Sequence, residues 1–339
     1  MDDPGWLQFV NRHPAATPFH MPAWVRTVSD TYGLPAFVYV VRDARGAIAA
    51  GLPLVAVRPP LRPPRWVSLP FTDFCPPLAG QPEELARLGT ALDEARAASG
   101  IRRVEIRAPM PDPVPGHRAA YRHVLALDGQ ISDVFSRFHR SQVQRNIRRA
   151  EDAGMAVRIG TAQHDLLDDF YPLHLATRRR LGVPIQPRRF WSELRRNVLG
   201  TGLGHVVTVS HRDVPVAAAV FLATNRTLVY KFGASDSRAW ALRPNHLLFW
   251  TAIQRAVDAG VNVLDFGRTD AEAEGLRAFK KNWGAVEKPL VYSTIGEDPP
   301  TKESGTGAGL ARRAAGSVIR IAPAWVCRAA GEVLYRFAA

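Results

Sequence analysis

The chain has 339 residues, 46% of them hydrophobic and 22% charged, proportions that fit one large or two ordinary globular domains and exclude wholesale disorder. Lys and Arg number 44 against 31 Asp and Glu, a net charge of +13 that points to nucleic acid, a phosphorylated substrate or an acidic membrane surface. Only five of these cations are lysines, and GC-rich coding accounts for an arginine excess equally well. Cys75 and Cys327 are too far apart for a metal motif and too few for a disulfide scaffold, which suits a reducing cytoplasm. Met1 to Phe9 has neither the basic nor the apolar region of a signal peptide, and no apolar run is long enough to span a bilayer.

Residues 1–130 read as one unit. Met21, Trp24, Val25 and Val28 fall at helical spacing within His20–Tyr32. Ala36–Val41, a turn at Asp43–Gly46 and Ala47–Val57 read as a hairpin. The proline-rich stretch Arg58–Arg65 is a connector. Glu83–Ser99 is a helix stopped by Gly100, and Val104–Arg107 a short strand.

Residues 131–295 form a second unit. Ser132 is placed to cap a helix running to about Ala153, with Val134, Phe138, Val143 and Ile147 on one face and Arg137, Arg140, Arg145, Arg148 and Arg149 on the other. A strand (Ala156–Ile159), two helices (Asp165–Leu181, Pro187–Val198), a hairpin (Gly204–Ser210, Pro215–Ala223) and a strand (Thr227–Phe232) follow. Arg243–Ala259 is a helix, Val261–Phe266 a strand, Ala271–Asn282 a helix and Pro289–Thr294 a closing strand. Both halves share the order helix, hairpin, strand, helix, strand, which predicts an α/β (α+β) fold of two tandem domains, each a twisted mixed sheet flanked by helices. Residues 296–309 read as a flexible linker. Residues 310–339 read as basic amphipathic helices broken at Pro323, suited to packing on the protein itself, on domain 1, or to lying on an anionic membrane.

The segment Asn197–Gly204 is glycine-rich, but it runs from helix to strand. A phosphate cradle needs the reverse order, with free N–H groups at a helix start, so this segment reads as a helix stop. Neither cysteine has a readable His and Asp partner, and the histidines stand at no ligand spacing, so no metal is expected. What remains is the apolar strand Val261–Phe266 containing Asp265, then Gly267 and Arg268, then a helix carrying Phe279, Lys280 and Lys281. Sites in open sheets lie beyond strand ends, where a lysine can stabilise an oxyanion or hold an anion. The same lysines also suit a helix C-terminus on dipole grounds alone.

Leu276-x-x-Phe279-Lys280-x-x-Trp283-Gly284, shortly after Leu264-Asp-Phe-Gly-Arg268, resembles the Fem family: aminoacyl-tRNA-dependent transferases of peptidoglycan bridge synthesis, with looser FemAB-like N-acyltransferase relatives. Tyr230–Ser235 followed by Arg243–Trp250, the run Thr177–Pro187 and the Arg-rich helix are similar to further segments of that family. The likeness covers about 131–294 well, and the first domain only in outline through Ser68–Asp73. It implies two tandem GNAT-like domains and acyl transfer from an ester or thioester to an amine, with no covalent enzyme intermediate and no cofactor beyond the acyl donor.

The resemblance also implies roles. Phe279 and Lys280 match a Phe-Lys pair whose lysine stabilises charge on the reacting acyl group. Asp73 is the candidate for orienting or deprotonating the amine. Arg180 and Gln186 fall in a segment similar to a substrate-phosphate contact region, and Tyr230, Asn245, Asp265 and Arg268 are expected to bind substrate. Arg140, Arg145, Arg148 and Arg149 would hold tRNA phosphates.

The chemistry asks for these groups: the attacking amine sheds a proton, the tetrahedral intermediate carries a negative oxygen, and an activated ester needs mainly positioning. The leading expectation is aminoacyl transfer from aminoacyl-tRNA to an amine of a cell-wall precursor, lipid-linked or free, or of a secondary metabolite, in the cytoplasm or at the inner face of the membrane. The alternatives are an N-acyltransferase using acyl-CoA or a carrier-protein thioester on an amino sugar or exopolysaccharide precursor, and a non-catalytic GNAT-like binding module.

Overall fold

The computed structural model describes residues 3–58, 63–224, 226–297 and 316–335. Most of the 296–309 linker, residues 59–62 of the proline-rich connector, and Arg312, Arg313 and Arg336 of the tail lie outside the described residues.

The first element, α1 (Pro4–Arg12), was not legible as a helix: Asp3 caps it, its carboxylate accepting from the Gly5 N–H. Helix α2 (Pro22–Tyr32) buries the expected Trp24, Val25 and Val28 and stops at Gly33 in the left-handed region. Strands β1 (Ala36–Arg42) and β2 (Ile48–Val57) form the expected antiparallel hairpin. Then come β3 (Arg65–Val67), β4 (Leu78–Ala79), α3 (Pro82–Ala98), β5 (Arg103–Ile106) and the long β6 (Gly116–Ala126), which the sequence pattern did not reveal.

The second half opens with α4 (Ile131–Ser136), a π-helical turn at Arg140–Gln144 and α5 (Arg145–Asp152). The single helix expected over 132–153 is therefore interrupted. His139 leaves the helical conformation, donates its N–H to the Asn282 carbonyl at 2.8 Å, and its ring accepts from the Gln142 N–H to start the next piece. Strand β7 (Ala156–Gly160), α6 (Tyr171–Leu181), α7 (Arg188–Asn197), β8 (Gly204–His211), β9 (Val214–Ala223) and β10 (Thr227–Ser235) follow. The chain continues through α8 (Pro244–Asp258), β11 (Val263–Thr269), α9 (Glu274–Asn282) and β12 (Val286–Gly296), then α10 (316–321) and α11 (Ala324–Leu334).

Two compact units result. The described part of the first comprises residues 3–58, 63–120, 289–297 and 335, and that of the second 121–224, 226–288 and 316–334. In the first unit the strand order is β1-β2-β3-β5-β12, with β4 on β2 and β3 parallel to β5. In the second it is β6-β11-β10-β9-β8-β7, with β10 parallel to β11. The helix–hairpin–strand–helix–strand order thus occurs twice, as α2-β1-β2-β3-α3-β5, with the two-residue β4 inserted before α3, and as α6/α7-β8-β9-β10-α8-β11.

The units do not divide the chain as 1–130 and 131–295. Strand β6 pairs its second half with β11, and β12 pairs its second half with β5, so each long strand contributes to both units. Local patterning cannot reveal these pairings, because both are long-range.

Phe138, Phe249, Trp250, Phe266 and Trp283 pack in the second unit's core. The C-terminal helices join this unit, while Tyr335, just after α11, belongs to the first and packs on Tyr32 and Phe71. Cys327 and Gly331 are buried, the Cys327 thiol donates to the Val183 carbonyl at 3.5 Å, and a Cβ at Gly331 would collide with the Ile185 carbonyl.

Candidate active site

Parallel strands β10 and β11 hydrogen-bond only from Thr227–Val263 to Val229–Asp265. Beyond that they diverge, because each is bulged against its outer neighbour. β10 shifts register on β9 between Tyr230 and Phe232. β11 shifts on β6 between Asp265 and Arg268, where Gly267 takes a φ of +70°. The gap at the carboxyl ends of the two strands is a cleft of about 250 Å³. Tyr230, Gly233, Ala234 and Ser235 line it from β10, and Phe266 from β11. Thr177 of α6, Asn245 and Phe249 of α8, and Leu276, Phe279 and Lys280 of α9 complete it.

Lys280 is only 3% exposed. Its Nζ donates to the carbonyls of Phe266 (2.7 Å), Gly267 (3.1 Å) and Arg268 (3.3 Å) and to Thr269 Oγ1 (2.8 Å). Three of these acceptors are backbone carbonyls at the bulge of β11, beyond its last residue paired with β10, and the fourth is a side-chain hydroxyl. The ammonium thus satisfies backbone carbonyls of the bulge and is itself satisfied, which is what a buried charge requires. Lys280 is therefore both a strand clip and a fixed cation in the cleft wall.

Behind it, the Thr269 hydroxyl meets His123 Nδ1 at 3.5 Å, and His123 Nε2 meets the Glu287 carboxylate at 3.1 Å. Burial first, and then the Lys280 charge, push the His123 pKa down. Arg277 foremost and Lys281 hold Glu287 down at about 2, against the opposing effect of desolvation.

Four of the residues singled out from the sequence meet in this cleft: Tyr230, Asn245, Phe279 and Lys280. The Phe279 ring packs on His246, Phe249 and Trp283. The Tyr230 ring lies 4.8 Å from that of Phe249, and burial pushes its phenol up to about 12. Asn245 Nδ2 donates to Ser235 Oγ at 3.3 Å, and the Trp240 indole donates to the same oxygen. Arg180 stands at the rim, its guanidinium 4.8 Å from the Trp240 ring and bonded to the Ser235 carbonyl.

The others are not among the residues that line the cleft. Gln186 holds His174 at 3.2 Å, beneath α6. The buried Asp265 accepts from Arg122 (2.7 Å) and from the Gly267 N–H (2.8 Å), so its carboxylate builds the bulge. Arg268 pairs with Asp270. Asp73 belongs to the first unit, where its carbonyl accepts from the Tyr292 hydroxyl at 3.0 Å. No carboxylate is among the residues lining this cleft. Thr177, Ser235, Thr269 and His123 went unread. The first two sit inside runs already marked by resemblance, but nothing in local spacing says which residue of a bulged strand faces the gap.

Residues 137–281 match the family model of the acetyltransferase (GNAT) domain. That segment is a GNAT domain.

No curated protein matches the chain by sequence. Among solved structures, FemX has the same fold at 16% identity and a TM-score of 0.68, over 84% of this chain and 94% of FemX. The C-terminal DUF2156 domain of an Agrobacterium fabrum protein does so at 14% and 0.57, over 93% and 95% of the two chains. L-PGS from Bacillus licheniformis does so at 11% and 0.52, over 87% and 97%. At these identities the likeness is one of fold, and the GNAT domain itself makes the reaction class acyl transfer.

Within the GNAT domain the basic face is open: Arg140, Arg145, Arg148 and Arg149 are exposed, while Ile147 and Ala150 turn inward. The glycine-rich run Asn197–Gly204 is the end of α7, a short 3₁₀ turn and the start of β8, and none of its residues lines the cleft.

Gly233 leaves room for the Tyr230 phenol, and a Cβ there would collide with its hydroxyl. Gly233→Ala is expected to push the Tyr230 ring from its place and raise KM for the acyl donor severalfold. Gly275→Ala, at a helical position with open space around it, is the control in the same kinetic assay.

Proposed function

We propose that the protein transfers an aminoacyl group from aminoacyl-tRNA to an amine of a cell-wall precursor or secondary metabolite. The observation that carries this reading is the Lys280 ammonium, fixed in the wall of a cleft at the carboxyl ends of two splayed parallel strands. The amine nitrogen attacks the ester carbonyl, forming a C–N bond. Negative charge gathers on the carbonyl oxygen, and the nearby cation stabilises it. The C–O bond to the ribose then breaks, and the proton shed by the amine ends on the departing hydroxyl. Neither thiol is suited to a covalent step: Cys75 and Cys327 are buried, and burial raises both pKa values.

Two further features support an RNA ester as donor. The exposed arginines of the π turn and α5 match a phosphate backbone. The connection from β10 to α8, residues 236–243, is a 3₁₀ turn without glycine, unlike a loop of free N–H groups that cradles a pyrophosphate. The folds shared with FemX and with the domain named for lysylphosphatidylglycerol synthetase agree with aminoacyl transfer. A second reading, an acyl-CoA or carrier-protein thioester as donor, is favoured by the acetyltransferase match over 137–281.

Titration with aminoacyl-tRNA, uncharged tRNA and acetyl-CoA at two salt concentrations separates them. Salt-sensitive binding that favours charged tRNA supports the first reading, and binding of acetyl-CoA alone selects the second. In the first case the triple variant Arg145→Ala, Arg148→Ala, Arg149→Ala is expected to flatten the salt slope by about 0.7–0.9 for each phosphate no longer neutralised. An unchanged slope would place the tRNA elsewhere.

A further inference from the structure

The C-terminal helices have two unlike faces. One is docked: Ile319, Cys327 and Gly331 are buried, and Arg179 of α6 donates to the Ala322 carbonyl. Gly182, at the end of α6, lies against the Gly316 carbonyl, where a Cβ would stand 2.7 Å from that oxygen. The segment is thus held on the second unit by its own close-fitting side.

The other face is apolar and open. Ile321 is 85% exposed, Trp325 63%, Val333 58% and Val318 54%. Of the eleven large apolar side chains exposed among the described residues, five lie between 318 and 334. Trp325, Ala329 and Val333 repeat every fourth position of α11, on the side opposite Cys327 and Gly331. Docking has therefore not consumed the amphipathic character of the segment.

We infer that this face lies on an anionic lipid surface, with Ile321, Trp325 and Val333 in the headgroup boundary. Charge decides the occupant. Residues 310–339 contain Arg312, Arg313, Arg320, Arg328 and Arg336 against the single acid Glu332, in a chain of net charge +13. The exposed Arg188 and Arg189 begin α7, which meets the tail where the Arg188 N–H bonds Glu332. Apolar side chains including a tryptophan, set among arginines, suit an interface with acidic headgroups. No described helix is long and apolar enough to cross a membrane, so the contact is one of lying on the surface. The inference does not depend on the acyl-transfer reading. It does place the lipid-facing segment against α6, the helix that also lends Thr177 to the cleft.

The test is co-flotation of the full chain with phosphatidylcholine vesicles, with and without phosphatidylglycerol, neither containing any substrate. The wild type is expected to float with the phosphatidylglycerol vesicles and to do so less at high salt. The double variant Ile321→Ser, Trp325→Ser is expected to partition about ten- to a hundredfold less. Both side chains are exposed, so its thermal melt should match the wild type. Val214→Ser, on a similarly exposed residue that opens β9, should float like the wild type. Failure to float with either vesicle, equal flotation with both, or an unaffected double variant overturns the inference. A concentration-dependent dimer that the double variant abolishes, without vesicle binding, would give the face to a second copy and also overturn it.

Discussion

Lys280→Met is expected to lower kcat about 10²–10³-fold, the usual cost of removing a fixed group that stabilises an oxyanion. It should also cost stability, because the carbonyls of Phe266, Gly267 and Arg268 lose their donor at the point where β11 has left β10. An unsatisfied buried acceptor costs about 1–3 kcal/mol. The cleft admits water to part of this group, so about 2–4 kcal/mol is expected in urea unfolding. Loss of turnover alone would therefore not identify a catalytic role. Thr269→Val separates the two effects. It removes one acceptor of the ammonium and leaves the charge in place, and should lose about 1 kcal/mol while keeping most turnover. If Lys280→Met unfolds more easily yet turns over normally, Lys280 is a strand clip and its charge does not serve the reaction.

Acid should unfold the protein well above the usual carboxylate range. Four histidines are held neutral by burial: His20, His205 and His246 at about 4 and His174 at about 3. In each, desolvation is the leading cause. His174 sits among Phe170, Trp191 and Phe232, and His246 is stacked on Trp283.

The sign follows from comparing the two states. Above about pH 6.5 these histidines are neutral whether folded or not, and contribute no pH dependence. Below it the unfolded chain takes up protons that the folded chain refuses, so stability falls with pH down to the folded values near 4 and 3. Each histidine can remove up to about 1.4 kcal/mol per pH unit. Several acting together exceed a typical stability of about 5–15 kcal/mol within a few pH units.

A cooperative loss of ellipticity between about pH 6 and 4, with uptake of several protons, is the expected result. His174→Gln and His205→Gln should each flatten the fall below about pH 6.5, whatever they cost at neutral pH. Stability that stays level from about pH 7 to 4 would mean that these rings are hydrated in solution. Glu287, held at about 2, titrates too low to drive the transition.

Much of this protein was decided by the sequence alone, wherever a local rule acts. The stripe Trp24, Val25, Val28, the two hairpins and the glycine stop at Gly100 follow from helical spacing, turn chemistry and left-handed backbone. The run from β10 through α8 and β11 to α9 was also legible, and with it Tyr230, Asn245, Phe279 and Lys280, which line the cleft.

Tertiary structure alone decided what those residues touch. Lys280 looked like an anion-binding cation or a complement to a helix end, and its ammonium proved to clip a strand 11 to 14 residues earlier. Asp265 looked like a site carboxylate and is neutralised by Arg122, 143 positions away. The break at His139 answers to Asn282, and β6 and β12 each pair with a strand more than a hundred residues away. Periodicity records which face of an element is buried and which backbone groups bond nearby. It holds no record of a partner more than a hundred residues away, and a bulge that turns one residue from core to cleft is set by that partner.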